Sequence, residues 1–74
     1  MLKRGDIVRE YKRSDDSWVS TYFITGVTYD GLVCQCYCIH DEAFDSRRDL
    51  IGNCTIPTRH ITEGTLFNYW KKHE

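Results

Sequence analysis

The sequence lacks several features that would place it in a special class of protein. Its 74 residues contain a single proline, no internal repeat and no long block of like charge, a composition that argues against global disorder. No stretch approaches the roughly 18–20 apolar residues of a membrane span. Charged side chains follow Met1 and Leu2 directly, unlike a secretory signal. These absences predict one small domain over residues 1–74, located in the cytoplasm and without a membrane partner.

The charge is nearly balanced, which bears on the class of ligand. The formal net charge is −1 and the isoelectric point is about 6.3, whereas domains that mainly hold a phosphate backbone usually have values above about 9. Two Trp, five Tyr and three Phe residues are present. They supply large apolar surfaces that offset the small core of a domain this size.

Three cysteines alternate along one segment, as Cys34, Cys36 and Cys38. On an extended strand they share one face and lie roughly 6.5–7 Å apart, too far for a disulfide between neighbours or for a single tetrahedral zinc to bind all three. We interpret them as a buried stripe of packed thiols. Together with Cys54 the count is even, which allows three disulfide connectivities, but a reducing cytosol argues against any of them.

A structural zinc site is a third functional hypothesis. Zinc sites usually show Cys pairs separated by two to four residues in a tight turn, whereas Cys34, Cys36 and Cys38 lie in a predicted strand and Cys54 and His60 have no such partner. If a site forms, it has to combine residues across strands, and the candidate ligands are Cys38, His40, Cys54 and His60. We predict no cofactor and no metal.

Alternating patterns and turn residues predict three strands in the first half of the chain. They cover residues 5–11, 18–27 and 32–40, with a polar connector at 12–17. Asp30-Gly31 between the second and third strands is typical of a tight hairpin turn. Apolar residues on both faces of the second and third strands indicate that these strands are covered on more than one side.

The second half of the chain is less regular. Residues 41–51 are compatible with a short helix capped by Asp41 or with an irregular segment. Thr55 and Ile56 resume a strand that ends near Pro57. The spacing of the apolar residues in 62–73 predicts a short helix, and a last β-strand is the alternative.

These elements predict a mainly β fold. It is a small antiparallel SH3-like barrel or a strongly bent sheet with a short C-terminal helix. The segment Gly5-Asp6-Ile7-Val8 resembles the way in which many SH3-like small barrels begin. This resemblance implies a fold class and no activity.

We predict that the protein is not an enzyme. A catalytic Cys needs a nearby cation and a His as base, and Cys38 and His40 are too far apart on a strand for a direct hydrogen bond. Adjacent carboxylates such as Asp15 and Asp16 do not set the separation that acid–base chemistry requires. A stand-alone 74-residue chain without catalytic residues suits an inhibitor or adaptor, by analogy with small bacterial and phage proteins.

The favoured hypothesis is that the chain binds another protein, of unknown identity. Interface hot spots are enriched in aromatic residues and arginine. One loop segment has this composition, an aromatic residue among arginines and acids, and Trp18 is a further candidate. The predicted protein-binding residues are Asp41, Glu42, Phe44, Asp45, Arg47, Arg48 and Trp18. An edge strand also offers a route to a homodimer.

The alternative hypothesis is binding of nucleic acid through the N-terminal stretch. Basic and aromatic side chains interleave there, as in single-strand binders. The candidates are Lys3, Arg4, Arg9, Tyr11, Lys12 and Arg13. Four acids in the same stretch are expected to cancel much of this charge: Asp6, Glu10, Asp15 and Asp16.

Overall fold

The computed structural model describes residues 2–41 and 52–73, with the side chains of His40 and Asp41 excepted. These residues form one antiparallel sheet with the strand order β4-β3-β2-β1-β5, and the fold is mainly β as predicted. The elements are β1 (Ile7–Lys12), β2 (Trp18–Val27), β3 (Val33–Asp41), β4 (Gly52–Pro57), α1 (Thr58–Glu63) and β5 (Asn68–His73).

The C-terminal segment differs from its predicted helix. The helix lies earlier, at α1, and ends at Gly64, whose φ is +81°. The last residues form β5, the strand given as the alternative, which pairs with β1 along its whole length. A strand hydrogen-bonded to a neighbour far away in sequence satisfies its backbone groups, and no local spacing rule detects that partner. The predicted strand at Thr55 and Ile56, ending at Pro57, is confirmed.

The sheet is open within the described residues, with β4 and β5 as its two edges. It is bent by shifts in strand register at three places: between Glu10 and Tyr11, between Thr21 and Tyr22, and between Ile24 and Gly26. Such bulges bend the strand that carries them. Helix α1 contacts β3, β4 and β5, so it packs across the bent sheet between its two edges.

The core lies on one side of the sheet, here called the inner face. It is formed by buried apolar side chains from four strands and the helix: Val8, Ile24, Cys34, Cys36, Ile56 and Ile61, with Trp70 of β5 packed against them. Each of Cys34, Cys36 and Cys38 is at most 1% exposed. The predicted cysteine stripe is therefore confirmed as part of the protein interior.

The carboxylate of Glu10 is buried on the inner face. Glu10 accepts a hydrogen bond of 2.9 Å from the Tyr22 hydroxyl and another from the Asn68 side-chain amide. A buried charge needs such donors, because burial removes its hydration. Burial raises the pKa of Tyr22 above its ordinary value, so the hydroxyl keeps the proton that it donates to Glu10.

The helix α1 has six residues. Among residues 2–41 and 52–73, no helix has the length and apolar character needed to cross a membrane.

Candidate binding face

The side of the sheet opposite the core is here called the outer face. In β1, Val8 and Glu10 are buried, so strand alternation places Ile7, Arg9 and Tyr11 on the other side. The register of the paired strands then defines the remaining members. The outer face includes Ile7, Arg9 and Tyr11 of β1, Trp18, Thr21 and Phe23 of β2, Gln35, Tyr37 and Ile39 of β3, Asn53 and Thr55 of β4, and Tyr69 and Lys71 of β5.

Aromatic rings and cations meet at the β5 side of this face. The Tyr11 and Tyr69 rings are stacked, with centroids 5.4 Å apart, and Lys71 Nζ lies 5.9 Å from each centroid. The Arg9 guanidinium lies 5.3 Å from the centre of the Trp18 ring. These contacts have cation–π geometry. We call these five residues, Arg9, Tyr11, Trp18, Tyr69 and Lys71, the aromatic–basic cluster.

The indole of Trp18 is held in one orientation. Its Nε1 donates to the backbone oxygen of Ser20 at 3.2 Å and to Thr21 Oγ1 at 3.0 Å. The ring remains exposed, while Arg9 packs against its face. A fixed, exposed aromatic side chain loses little conformational entropy on binding, which suits it as an anchor.

The centre of the outer face is apolar. On β3, Tyr37 and Ile39 are 46% and 51% exposed. Tyr37 pairs with Phe23 of β2, and Ile39 lies at the adjacent register shift. Antiparallel sheets usually present polar side chains on the face turned away from the core. Adjacent exposed aromatic and aliphatic groups depart from this pattern, which makes this part of the outer face a candidate contact surface.

The fold separates charges that lie together in the sequence. Asp6 is buried, accepts a hydrogen bond of 3.0 Å from the Lys3 backbone amide and lies 3.6 Å from Lys72 Nζ. Glu10 is buried on the inner face. These two acids therefore do not share the outer face with Arg9, because strand alternation directs Arg9 to the outer face and Glu10 to the inner one.

Two further acids do lie near the cluster. The Tyr69 hydroxyl donates to Asp16 at 2.7 Å, and Asp15 accepts a hydrogen bond of 3.0 Å from the Ser17 amide. Hydrogen bonds from Ser17 lower the pKa of Asp15. This corner of the outer face therefore holds negative charge beside its cations.

Among the predicted nucleic-acid residues, Arg13 has a structural role. Its Nε donates to the Thr65 carbonyl at 2.8 Å and its Nη2 to the Glu63 carbonyl at 3.3 Å. The side chain thereby connects the turn after β1 to the end of α1, and its guanidinium lies 5.7 Å from the Tyr69 ring centre. Lys3, Arg4 and Lys12 are exposed.

Most of the predicted protein-binding loop lies outside the described residues: Glu42, Phe44, Asp45, Arg47 and Arg48. The backbone of Asp41 ends β3, opposite Ser20, and the choice between a short helix and an irregular segment after it falls outside the described residues.

The structure does not bring the proposed zinc ligands together. Cys38 lies opposite Gly52, and Cys54 lies opposite Cys36. His60 stacks on Trp70, with ring centroids 6.4 Å apart. The His40 side chain is outside the described part. Within that part, no three His, Cys, Asp or Glu side chains form a group that could hold a metal.

Sequence analysis missed Tyr69, Lys71, Tyr37 and Ile39 as candidate residues. The spacing in residues 62–73 predicts a helix for Tyr69 and Lys71, and a helix would not pair with β1 in the sheet. The signal that identifies Tyr69 and Lys71 is the alternation in β5, where Trp70 between them packs on the core. Comparisons of this chain with known protein families, curated proteins and solved structures found no match.

Proposed function

We propose that this protein is a non-enzymatic binding protein that holds a protein partner on the outer face of its sheet. The observation that carries the proposal is the exposure of Tyr37 and Ile39 at the centre of that face. Trp18, a residue singled out from the sequence, lies on the same face. Rigid aromatic groups around an apolar centre are the composition of interface hot spots.

The charges of the face suggest the chemistry of the partner. Arg9 and Lys71 lie on the outer face, Asp6 and Glu10 are buried away from it, and the remaining two acids of the N-terminal stretch lie at one corner of it. A partner that presents apolar side chains bordered by carboxylates complements this surface, and such complementarity favours the correct partner over others. In this proposal Phe44, Arg47 and Arg48 extend the contact surface beyond the described residues.

The proposal includes an inhibitor or adaptor role in the cytoplasm and an SH3-like architecture. Five antiparallel strands with one short helix between the last two are compatible with such a small β fold. The thiols of Cys34, Cys36 and Cys54 line the core and its edge. A reducing compartment keeps cysteines in this form.

The test is a comparison of two matched substitutions to Asp on exposed aliphatic residues. Ile39→Asp places a charge at the apolar centre of the outer face, and Leu32→Asp places the same charge at the 66% exposed Leu32 of the β2–β3 turn. With proteins from the source cells, we expect Ile39→Asp to reduce partner capture roughly tenfold or more, as for hot-spot residues. Leu32→Asp should capture the partner like the unmodified chain. Quantitative mass spectrometry of the retained proteins measures both.

Two results would contradict the proposal. One is equal capture by both variants, which would exclude the outer face as the site. The other is capture that disappears after nuclease treatment or on raising the salt concentration, because apolar protein interfaces depend on salt only weakly whereas phosphate contacts depend on it steeply.

A second candidate function is binding of single-stranded nucleic acid, favoured by the aromatic–basic cluster. Bases stack on exposed aromatic rings, and neighbouring cations contact the phosphates. The burial of Asp6 and Glu10 removes two of the four acids that argued against this function.

The second candidate predicts different effects for two adjacent lysines. Lys71 belongs to the cluster, whereas Lys72 points to the opposite side and lies 3.6 Å from Asp6. With a labelled single-stranded oligonucleotide, Lys71→Gln should weaken binding and lower the salt dependence by about one phosphate contact. Lys72→Gln should leave that dependence unchanged. Fluorescence anisotropy over a salt series measures both, and binding without salt dependence would rule this candidate out.

A further inference from the structure

Two of the four cysteines face each other across neighbouring strands. Cys36 of β3 and Cys54 of β4 are directly paired in the antiparallel register, and both are free thiols. Such partners have Cα atoms about 4.5–5.5 Å apart, inside the range of about 4.4–6.8 Å found in disulfides. This spacing contrasts with that of neighbouring cysteines along β3, which cannot bridge.

The pair is accessible from one side. Cys36 is 1% exposed, whereas Cys54 is only partly buried on the edge strand β4. A small thiol reagent can therefore approach Cys54 first, and Cys36 follows as an intramolecular partner.

We propose that Cys36 and Cys54 are a site of oxidative modification and form a disulfide that joins the edge strand β4 to β3. The oxidant is a small disulfide such as oxidised glutathione. The Cys54 thiolate attacks one sulfur of the oxidant, which breaks the S–S bond and releases one glutathione thiolate. Cys36 loses its proton and attacks the Cys54 sulfur of the mixed disulfide, which releases the second. Two protein thiols are oxidised and one glutathione disulfide is reduced to two thiols.

The protonation of the two thiols sets the rate of this exchange. Burial raises the pKa of Cys54, and burial together with the adjacent Cys54 thiol raises the pKa of Cys36 to about 12. Because the thiolate is the reacting form, both groups react slowly at neutral pH. We expect the disulfide to form faster as the pH rises toward the ordinary thiol pKa and beyond it.

The disulfide has a structural consequence at the edge of the sheet. The disulfide closes a loop that contains residues 37–53, and this loop includes the predicted protein-binding residues between 41 and 48. Closing a loop of this length restricts the unfolded chain and raises the melting temperature, on the order of 10 °C for a domain this small. The proposal is independent of the proposed binding function, since it concerns only the β3–β4 pair.

The test uses the full chain incubated with oxidised glutathione at mildly alkaline pH. We expect an intact mass lower by two hydrogen atoms, and tandem mass spectrometry of non-reduced peptides should assign the link to Cys36 and Cys54. The oxidised chain should melt at the higher temperature and return to the original value after reduction. Cys54→Ser should lose the link, whereas Cys38→Ser, whose position lies opposite Gly52, should keep it.

The peptide assignment on the unmodified chain decides the proposal even if a variant fails to fold. A link through Cys34 or Cys38, a stable glutathione adduct on Cys54 without loss of the second glutathione, or only intermolecular disulfides would overturn it. An unchanged melting temperature after complete oxidation would overturn the stabilising role.

Discussion

Replacing Ile24 with Ala is expected to lower the free energy of unfolding by about 2–5 kcal/mol. Ile24 is fully buried at the centre of the core and contacts the cluster formed by Val8, Cys34 and Ile56. Its removal costs both the burial of the side chain and the cavity that remains. Since small domains have a total stability of roughly 5–15 kcal/mol, this single change should remove a large part of it. Urea unfolding followed by tryptophan fluorescence measures the loss.

Ile39→Ala is the matched control for this prediction. Ile39 has the same side chain on a neighbouring strand but is 51% exposed on the outer face, so we expect a change within about 0.5 kcal/mol. Equal losses for the two variants would mean that the core does not lie on the face that contains Ile24. The same control also separates binding from stability, since Ile39 belongs to the proposed contact surface.

Among substitutions of glycine, Gly64→Ala is expected to lower the free energy of unfolding the most. Gly64 follows α1 with φ +81° and ψ 177°, a region essentially restricted to glycine and costly for other residues by about 1–3 kcal/mol. A Cβ there would also lie 3.0 Å from the Asn68 carbonyl oxygen and would collide with the Arg13 guanidinium. The loss of stability should therefore exceed the conformational cost alone.

Gly31→Ala separates these two contributions. Gly31 also has a positive φ, +76°, but no atom lies within 4 Å of the position of its Cβ. Urea unfolding should show a clearly larger loss for Gly64→Ala than for Gly31→Ala. Equal losses would contradict the expected additional cost at Gly64. Because Arg13 packs on Tyr69, Gly64→Ala should also disturb the β5 side of the outer face.

The local elements could be predicted wherever a short pattern carries the information. Alternation and the Asp30-Gly31 turn predicted β2 and β3, and the spacing of Cys34, Cys36 and Cys38 predicted a buried stripe. The tail could not be predicted in the same way. Tyr69 and Trp70 are compatible with a helical face, and only the hydrogen bonds to β1 make this segment a strand.

The candidate site was predicted in part. Arg9, Tyr11 and Trp18 were singled out from their chemistry, and the structure places all three on the outer face. Their partners Tyr69 and Lys71 come from a strand more than fifty residues away in the sequence. The burial of Asp6 and Glu10 could not be predicted, because counting charges along a segment ignores the two faces of a strand.

By itself, the sequence determined the mainly β class, the near-neutral charge and the burial of the alternating cysteines, because these depend on composition and on the two-residue period of a strand. The tertiary structure alone decided which strands become neighbours. That choice placed β5 beside β1, assembled the aromatic–basic cluster and set Cys54 opposite Cys36. The physical reason is that strand pairing satisfies backbone groups between distant segments, and its register depends on the packing of the whole core.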